Sequence, residues 1–166
     1  MTGVGRALFL LFAVAGAIPA QLYVFNTLLP GSWAPHLGVL LVILATQVWG
    51  DGFGVVVGLV LGLLYDRFTV GEVGLHLLLL PLVAAAIGLV RWLVPEMTLG
   101  NRMGVIFGIV LVVEVVGAVL HHLAGSILLD SWMLLHHMLP AIIANTLWGV
   151  TFLAVAQWVQ GVRGYR

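Results

Sequence analysis

Residues 103–123 read MGVIFGIVLVVEVVGAVLHHL, and this stretch gives the clearest indication of the fold class. Glu114 is its only acidic residue, and apolar residues or glycines fill the other positions before the two histidines near its end. About 20 consecutive apolar residues are enough for an α-helix to cross the hydrocarbon core of a bilayer. Residues 103–123 therefore predict a transmembrane helix.

The composition of the whole chain agrees with a membrane protein. Of its 166 residues, 63% are hydrophobic and only 7% are charged, and the mean hydropathy is +1.22. A soluble domain has about 25% charged residues, so this chain lacks the residues that cover a water-exposed surface. Six arginines and six acidic residues cancel, which leaves no basic surface for nucleic acid.

Enzymatic chemistry has little support in the sequence. The absence of cysteine excludes disulfides, thiolate nucleophiles, zinc–thiolate sites and Cys-ligated iron–sulfur clusters. The spacings of metalloproteases, P-loop nucleotide sites and nucleophile elbows are absent from the sequence as well. We therefore predict a protein that is not an enzyme and that uses no cofactor.

Apolar runs bounded by charge, glycine or proline divide the chain into six predicted transmembrane helices in one all-α, polytopic membrane domain. They cover about residues 7–28, 35–49, 52–65, 75–94, 103–123 and 134–162. The second and third form a hairpin broken at Gly50-Asp51-Gly52, and each is shorter than the roughly 20 residues that a perpendicular helix needs. Pro81 and Pro140 are expected to kink their helices.

The arginines predict the orientation. If the amino terminus is inside, only Arg67 lies outside, and the other five lie on the cytoplasmic side: Arg6, Arg91, Arg102, Arg163 and Arg166. This positive-inside bias predicts an even number of spans with both termini in the cytoplasm, and five spans is the main alternative. Residues 6–17 also resemble a signal peptide, but the apolar run continues to Leu28, which favours a retained helix.

Small residues recur at helical spacing in two places. Gly54, Gly58 and Gly62 share one helix face, which allows a neighbouring backbone to approach closely. Two interpretations are open: packing against another helix of this chain, or a face that accepts the helix of another subunit. Gly104 and Gly108 repeat the spacing in the fifth predicted span.

Glu114 is the most informative polar residue, because a carboxylate inside the bilayer costs several kcal/mol unless it is neutralised or partnered. It is either a hydrogen-bonded group inside the bundle, or a proton relay or polar contact with a partner's helix. His121 lies seven residues further on nearly the same face, so the two side chains could pair. Asn145 is predicted to make a hydrogen bond between helices.

Two histidine pairs, His121-His122 and His136-His137, raise the hypothesis of a metal site, since imidazole is a common ligand of zinc, nickel and copper. Neighbouring residues on a helix point about 100° apart, so one imidazole from each pair would have to converge with a carboxylate. We therefore predict no metal site.

One motif resembles a known family. Gly58-x-x-x-Gly62-Leu-Leu-Tyr-Asp66, followed eight residues later by Gly74-Leu75 and preceded by Pro35 at the start of a Leu- and Val-rich span, is similar to the MreD family of the bacterial cell-elongation machinery. The resemblance implies a non-enzymatic scaffold of the inner membrane that binds a single-span, coiled-coil MreC-type partner. It also implies coupling of MreB filaments to the peptidoglycan synthase formed by RodA and its transpeptidase partner, in lateral cell-wall synthesis.

The sequence departs from the family pattern at one loop, and the family's helix count also suggests an alternative function. The inner loop Gly50-Asp51-Gly52 lacks the basic residue that some relatives carry, which weakens a filament contact there. MreD-like proteins are also similar in helix count to the substrate-binding components of energy-coupling-factor transporters, so a vitamin-binding component is the alternative function. The polar residues for an outward-opening pocket would be Asp66, Arg67, Glu72, His76, His121, His122, Asp130, His136 and His137.

We expect small residues on the bundle exterior, Gly54, Gly58 and Gly62 among them, to accept the partner's transmembrane helix. The outer loops at residues 66–74 and 125–133, which begin at Asp66 and contain Gly74, would then guide its periplasmic portion.

Overall fold

The computed structural model describes residues 3–29, 31–68, 74–93, 99–123 and 130–164. These residues are helical almost throughout, and they contain no β-strand. The six main helices are α1 (Gly3–Pro19), α2 (Leu37–Trp49), α3 (Asp51–Phe68), α4 (Leu75–Leu93), α5 (Leu99–Leu123) and α6 (Leu139–Gly164). Short helical turns at Asn26–Leu28 and Gly31–Trp33 lie between α1 and α2, and another at Ser131–Met133 precedes α6.

Two π-helices lie beside prolines. Ala20–Phe25 continues α1 directly after Pro19, and Leu134–Met138 leads into α6 just before Pro140. Proline has no backbone N–H and its ring clashes with the carbonyl four residues earlier. The chain widens at these points, and Leu139 N–H bonds to the carbonyl of Leu134, five residues back.

Each predicted span overlaps one of the six main helices, but several boundaries differ. The fifth begins at Leu99 rather than at 103, and the third continues to Phe68 rather than ending at 65. The two helices continue through Arg102 and Asp66, at which the predicted spans had ended or not yet begun. Charged residues are compatible with the end of a helix, whereas they are unfavourable in the bilayer interior.

Within the part of the chain that the structure describes, four stretches are long and apolar enough to cross a membrane: Gly3–Phe25, Leu75–Leu93, Met103–Leu120 and Leu134–Val155. α2 is apolar but has only 13 residues, about 20 Å of helix against a hydrocarbon core of about 30 Å. α3 has 18 residues and carries charges near both ends. The count of six spans therefore stays a prediction.

The short helix α2 lies at the centre of the bundle. Nine of its 13 residues are buried, and it contacts α1, α3, α4 and α6. Large apolar side chains instead point outward from the longer helices, as with Phe12, Leu82 and Val112. A surface of this kind is suited to lipid.

The two ends of the bundle differ in chemistry. We call one the histidine end, after Ser32, His36, His76 and His137, which line one cavity. At the other, the Arg91 end, Arg91 Nη1 lies 3.3 Å from Asp51 Oδ1, and Arg91 Nη2 donates to the carbonyl of Thr46. Arg91, in the last turn of α4, thereby holds the connection between α2 and α3.

Candidate functional site

The glycine face of α3 is occupied by helices of the same chain. A Cβ added to Gly58 would lie 2.7 Å from the backbone nitrogen of Pro81, and one added to Gly62 would lie 2.5 Å from the carbonyl oxygen of His76. A Cβ on Gly54 would meet the side chain of Thr46 on α2. The α3 backbone is therefore in direct contact with α4, the most extensive helix pair in the fold.

These contacts decide between the two interpretations of the glycines. Gly54, Gly58 and Gly62 are buried within the bundle, so the expectation that they lie on the exterior and accept a partner's helix is wrong. The physical reason is that α4 fills the space which the missing side chains leave open, because small residues let two helix backbones approach closely.

Asp66 caps the start of α4 from the end of α3. Its Oδ1 accepts the backbone N–H of His76 at 2.9 Å, and its Oδ2 accepts that of Leu77 at 2.9 Å. The first N–H groups of a helix have no partner within it, and Gly74, which precedes α4 with φ of +88°, has no side chain to provide one. The spacing of Asp66 and Gly74 in the motif thus serves helix capping.

Tyr65 and His76 complete the contact between α3 and α4. The two rings stack with centroids 5.4 Å apart, and His76 Nδ1 lies 3.1 Å from Asp66 Oδ1. The Tyr65 ring also covers Gly38 of α2, where an added Cβ would lie 2.9 Å from Cε2. The contact between α3 and α4 is thus formed by Gly58, Gly62, Tyr65, Asp66, Gly74 and His76.

A second polar cluster surrounds the amino terminus of α2. Asn145 Oδ1 accepts the backbone N–H of His36 at 2.6 Å, and Gln21 Oε1 accepts that of Leu37 at 2.9 Å. Asn145 Nδ2 donates to the Ala141 carbonyl at 3.0 Å. Asn145 is 1% exposed and Gln21 is also buried, so this helix start is satisfied by side chains from α6 and from the extension of α1.

Glu114 lies beside this cluster. Its Oε1 accepts from Asn145 Nδ2 at 3.3 Å and lies 3.5 Å from His36 Nε2. The three residues are far apart in sequence, and the bundle brings them together from α6, α5 and the start of α2. The proposed pairing of Glu114 with His121 concerns a side chain outside the described part of the structure.

The polar cluster borders a cavity of about 360 Å³, which we call the histidine pocket. Its polar lining consists of Ser32, His36, His76, Glu114 and His137, and leucine, valine, methionine and alanine side chains form the rest. At the rim of the pocket, Ser32 Oγ lies 3.0 Å from His137 Nδ1. This contact links the segment before α2 to the segment before α6. Among the described residues, no group of three or more His, Cys, Asp or Glu side chains is arranged to hold a metal ion.

A larger apolar groove separates α4 from α5. Its volume is about 1020 Å³, and its lining is apolar almost throughout; we call it the α4–α5 groove. Gly104 and Gly108 lie on its α5 wall, and an added Cβ at either position would have no neighbour within 4 Å. The glycines of the fifth predicted span thus border open space, in contrast to those of α3.

Sequence analysis missed several residues of these sites. Gln21, Ser32, His36, Thr46 and Arg91 were not candidates, although each makes a contact between distant parts of the chain, Thr46 through its carbonyl. Gln21 is a polar residue within an apolar run, which is a usable signal of a buried hydrogen bond. Glu72 and the loop around it lie outside the described residues, and Arg67, His122, Asp130 and His136 are exposed at the histidine end.

The described residues are helical almost throughout, with four long apolar helices, a hydrogen-bonded cluster inside the bundle and an apolar outer surface. These features define the class of helical membrane proteins. The family model of the rod shape-determining protein MreD matches residues 2–159. The chain is therefore a member of the MreD family, and its role lies in rod shape determination. No curated protein and no solved structure matches it.

The family prediction made from the motif is thereby confirmed. The predicted likeness to the substrate-binding components of energy-coupling-factor transporters has no matching solved structure behind it and stays a prediction. No feature of the described residues favours the transporter alternative over a role in cell shape.

Proposed function

We propose that this protein is a non-enzymatic membrane adaptor which holds the transmembrane helix of an MreC-type partner in the α4–α5 groove. The observation that carries the proposal is the open groove itself, since it is apolar and has small residues on one wall. Helices associate in lipid where small residues permit close packing. Membership of the MreD family supports the connection to cell shape.

The dimensions of the groove suit one helix. The α5 wall runs from Gly100 to Val116, which is about 24 Å at 1.5 Å per residue. A groove of about 1020 Å³ over that length takes roughly half the cross-section of a helix about 10 Å wide. The other half would face lipid, as expected for a partner with a single span.

The orientation follows from the arginines. With both termini in the cytoplasm of a bacterial inner membrane, the histidine end faces outward and the Arg91 end faces inward. The partner's periplasmic portion would then begin near the histidine end. Through this partner the adaptor would couple MreB filaments to RodA and its transpeptidase partner in peptidoglycan synthesis.

Substitutions in the groove test the proposal. Val112→Trp places a large ring in the groove, whereas Val115→Trp changes an exposed residue of the same helix that does not line it. The chain is co-purified in detergent with the MreC-type protein of the same organism. We expect Val112→Trp, and Gly104→Leu with Gly108→Leu, to reduce recovery of the partner at least tenfold, and Val115→Trp to leave it unchanged.

Two results would contradict the proposal. Full recovery of the partner with the groove variants would mean that the helix binds elsewhere on the bundle. If the unaltered chain recovers no MreC-type protein when both are produced together, the adaptor function itself is wrong.

A further inference from the structure

The groove and the histidine pocket follow one another along the same two helices. The groove is lined by α4 from Leu79 to Val90, and the pocket continues along α4 from Leu79 back to Leu75. On α5 the pocket is lined from Val113 to Ala118 and the groove reaches Val116, so the two overlap along this helix. Leu79 and Val113 line both, so the two spaces adjoin. We call the two together the crevice, which is apolar along the groove and polar at the histidine end.

Glu114 supplies the acidic group of the polar part of this crevice. It is the only acidic residue in the described lining of the pocket, and that lining contains no arginine or lysine. Both described contacts of its carboxylate are made by Oε1. Among the described residues, Oε2 therefore remains available to a further donor.

The neighbouring groups do not neutralise this carboxylate permanently. Asn145 is uncharged, and its amide nitrogen is shared between Glu114 and the Ala141 carbonyl. His36 is about half exposed, lies 3.5 Å away and carries charge only when protonated. The side chain of Glu114 is 15% exposed, and a carboxylate at such a depth is strongly stabilised by a cationic hydrogen-bond donor.

We propose that the histidine pocket receives an arginine or lysine side chain from the outer end of the partner's transmembrane helix, and that its cationic group binds Glu114. The inference rests on the proposed function, because it places that helix in the adjoining groove. The leucine and methionine side chains of the pocket cover the aliphatic part of the residue, as long basic side chains require. The outer end of a helix that leads into a periplasmic portion is its carboxyl end, which favours a cation.

The pairing is tested by a double-mutant cycle with full-length proteins in nanodiscs. Glu114→Gln replaces the carboxylate at this position with an uncharged amide, whose oxygen can still accept a hydrogen bond from Asn145. In the partner, each arginine or lysine within the last two turns of the transmembrane helix is replaced by glutamine. We expect Glu114→Gln and one partner substitution each to raise the Kd about tenfold, and the two together to raise it no further.

The groove variant Val112→Trp separates failure of this inference from failure of the proposed function. If Val112→Trp abolishes binding but Glu114→Gln and every partner substitution leave the Kd unchanged, the pairing is wrong and the groove stands. If none of them changes the Kd, both are wrong. The absence of a basic residue from that part of the partner's helix also overturns the pairing.

Two further controls keep the test decisive. Thermal unfolding of the chain alone shows whether Glu114→Gln disturbs the bundle. If it does, the pairing is tested by the Kd values of the partner substitutions with the unaltered chain. Native mass spectrometry of the nanodisc samples detects an aminophospholipid in the pocket. A lipid that is lost in Glu114→Gln without any change in partner affinity would overturn the proposal.

Discussion

Single polar residues in this protein satisfy the ends of helices that they do not belong to. Asp66 of α3 accepts two backbone N–H groups of α4, and Asn145 of α6 accepts one at the start of α2. Water is absent from the bilayer core, so such groups must find partners within the protein. Asp66 of the family motif therefore acts as a helix cap. Asn145 also caps a helix, and in addition it donates a hydrogen bond to Glu114.

Replacing Asp66 tests the cap. Its side chain is 8% exposed, and Asp66→Ala leaves the N–H groups of His76 and Leu77 without their acceptor. We expect a loss of about 1–2 kcal/mol in the free energy of unfolding, measured by thermal unfolding in detergent.

Asp130→Ala is the matched control for Asp66→Ala. Asp130 accepts a single N–H, that of Met133, at an exposed position. An effect of Asp66→Ala no larger than that of Asp130→Ala would contradict the capping role.

Replacing Asn145 tests the cluster around Glu114. Asn145→Ala leaves the partly buried N–H of His36 unsatisfied and removes a donor from Glu114, so we expect a loss of about 1–3 kcal/mol in stability. Thr151→Ala serves as the control, because Thr151 makes an exposed bond to the carbonyl four residues earlier in the same helix. Equal melting temperatures for the two variants would show that the Asn145 contacts contribute little.

At the scale of elements, α2 explains how a short helix is accommodated. Its amino terminus is satisfied by Gln21 and Asn145, and near its carboxyl end the Thr46 carbonyl accepts from Gly50 N–H and from Arg91. Gly50 adopts a φ of +95°, which closes the turn into α3. A helix of 13 residues surrounded by longer ones therefore need not reach either face of the membrane.

The glycines of α3 and α5 yield a prediction on helix packing. Gly58→Ala and Gly62→Ala would push a Cβ into the backbone of α4, whereas Gly104→Ala meets nothing within 4 Å. We expect the first two to destabilise the fold by at least about 2 kcal/mol, in the range of overpacking. Gly104→Ala should be neutral or slightly stabilising, because alanine is the better helix former.

Differential scanning fluorimetry of the purified variants measures these effects. Tolerance of alanine at Gly62, with a melting temperature equal to that of Gly104→Ala, would mean that α3 and α4 lie further apart than described.

The whole molecule is a bundle with one closed side and one open side. α2, α3 and α4 pack closely through the glycine face, while α4 and α5 diverge and leave the groove. The open side ends in the histidine pocket, and the arginine distribution predicts that this end faces outward. The described residues thus divide into a closely packed part and an open apolar groove.

The orientation is testable because the chain contains no cysteine. Single cysteines at Arg67 and at Gly52 should react with a membrane-impermeant maleimide from opposite sides of the membrane. In spheroplasts we expect labelling at Arg67 without permeabilisation and labelling at Gly52 only after it. Cysteines added at the two termini should both behave like Gly52, and termini on opposite sides would contradict the even number of spans.

The apolar runs determined the membrane class and the approximate helix positions, because burial in lipid acts on each segment separately. Predicted span 75–94 corresponds to Leu75–Leu93, and 35–49 to Leu37–Trp49. Which surfaces are covered depends on contacts between segments, and these contacts form only when the helices pack together. Gly58 and Gly104 have the same local pattern, yet one lies against α4 and the other borders a groove. Likewise, Glu114 meets His36 and Asn145 because three separate helices converge, and the residue spacing within any one of them does not contain that information.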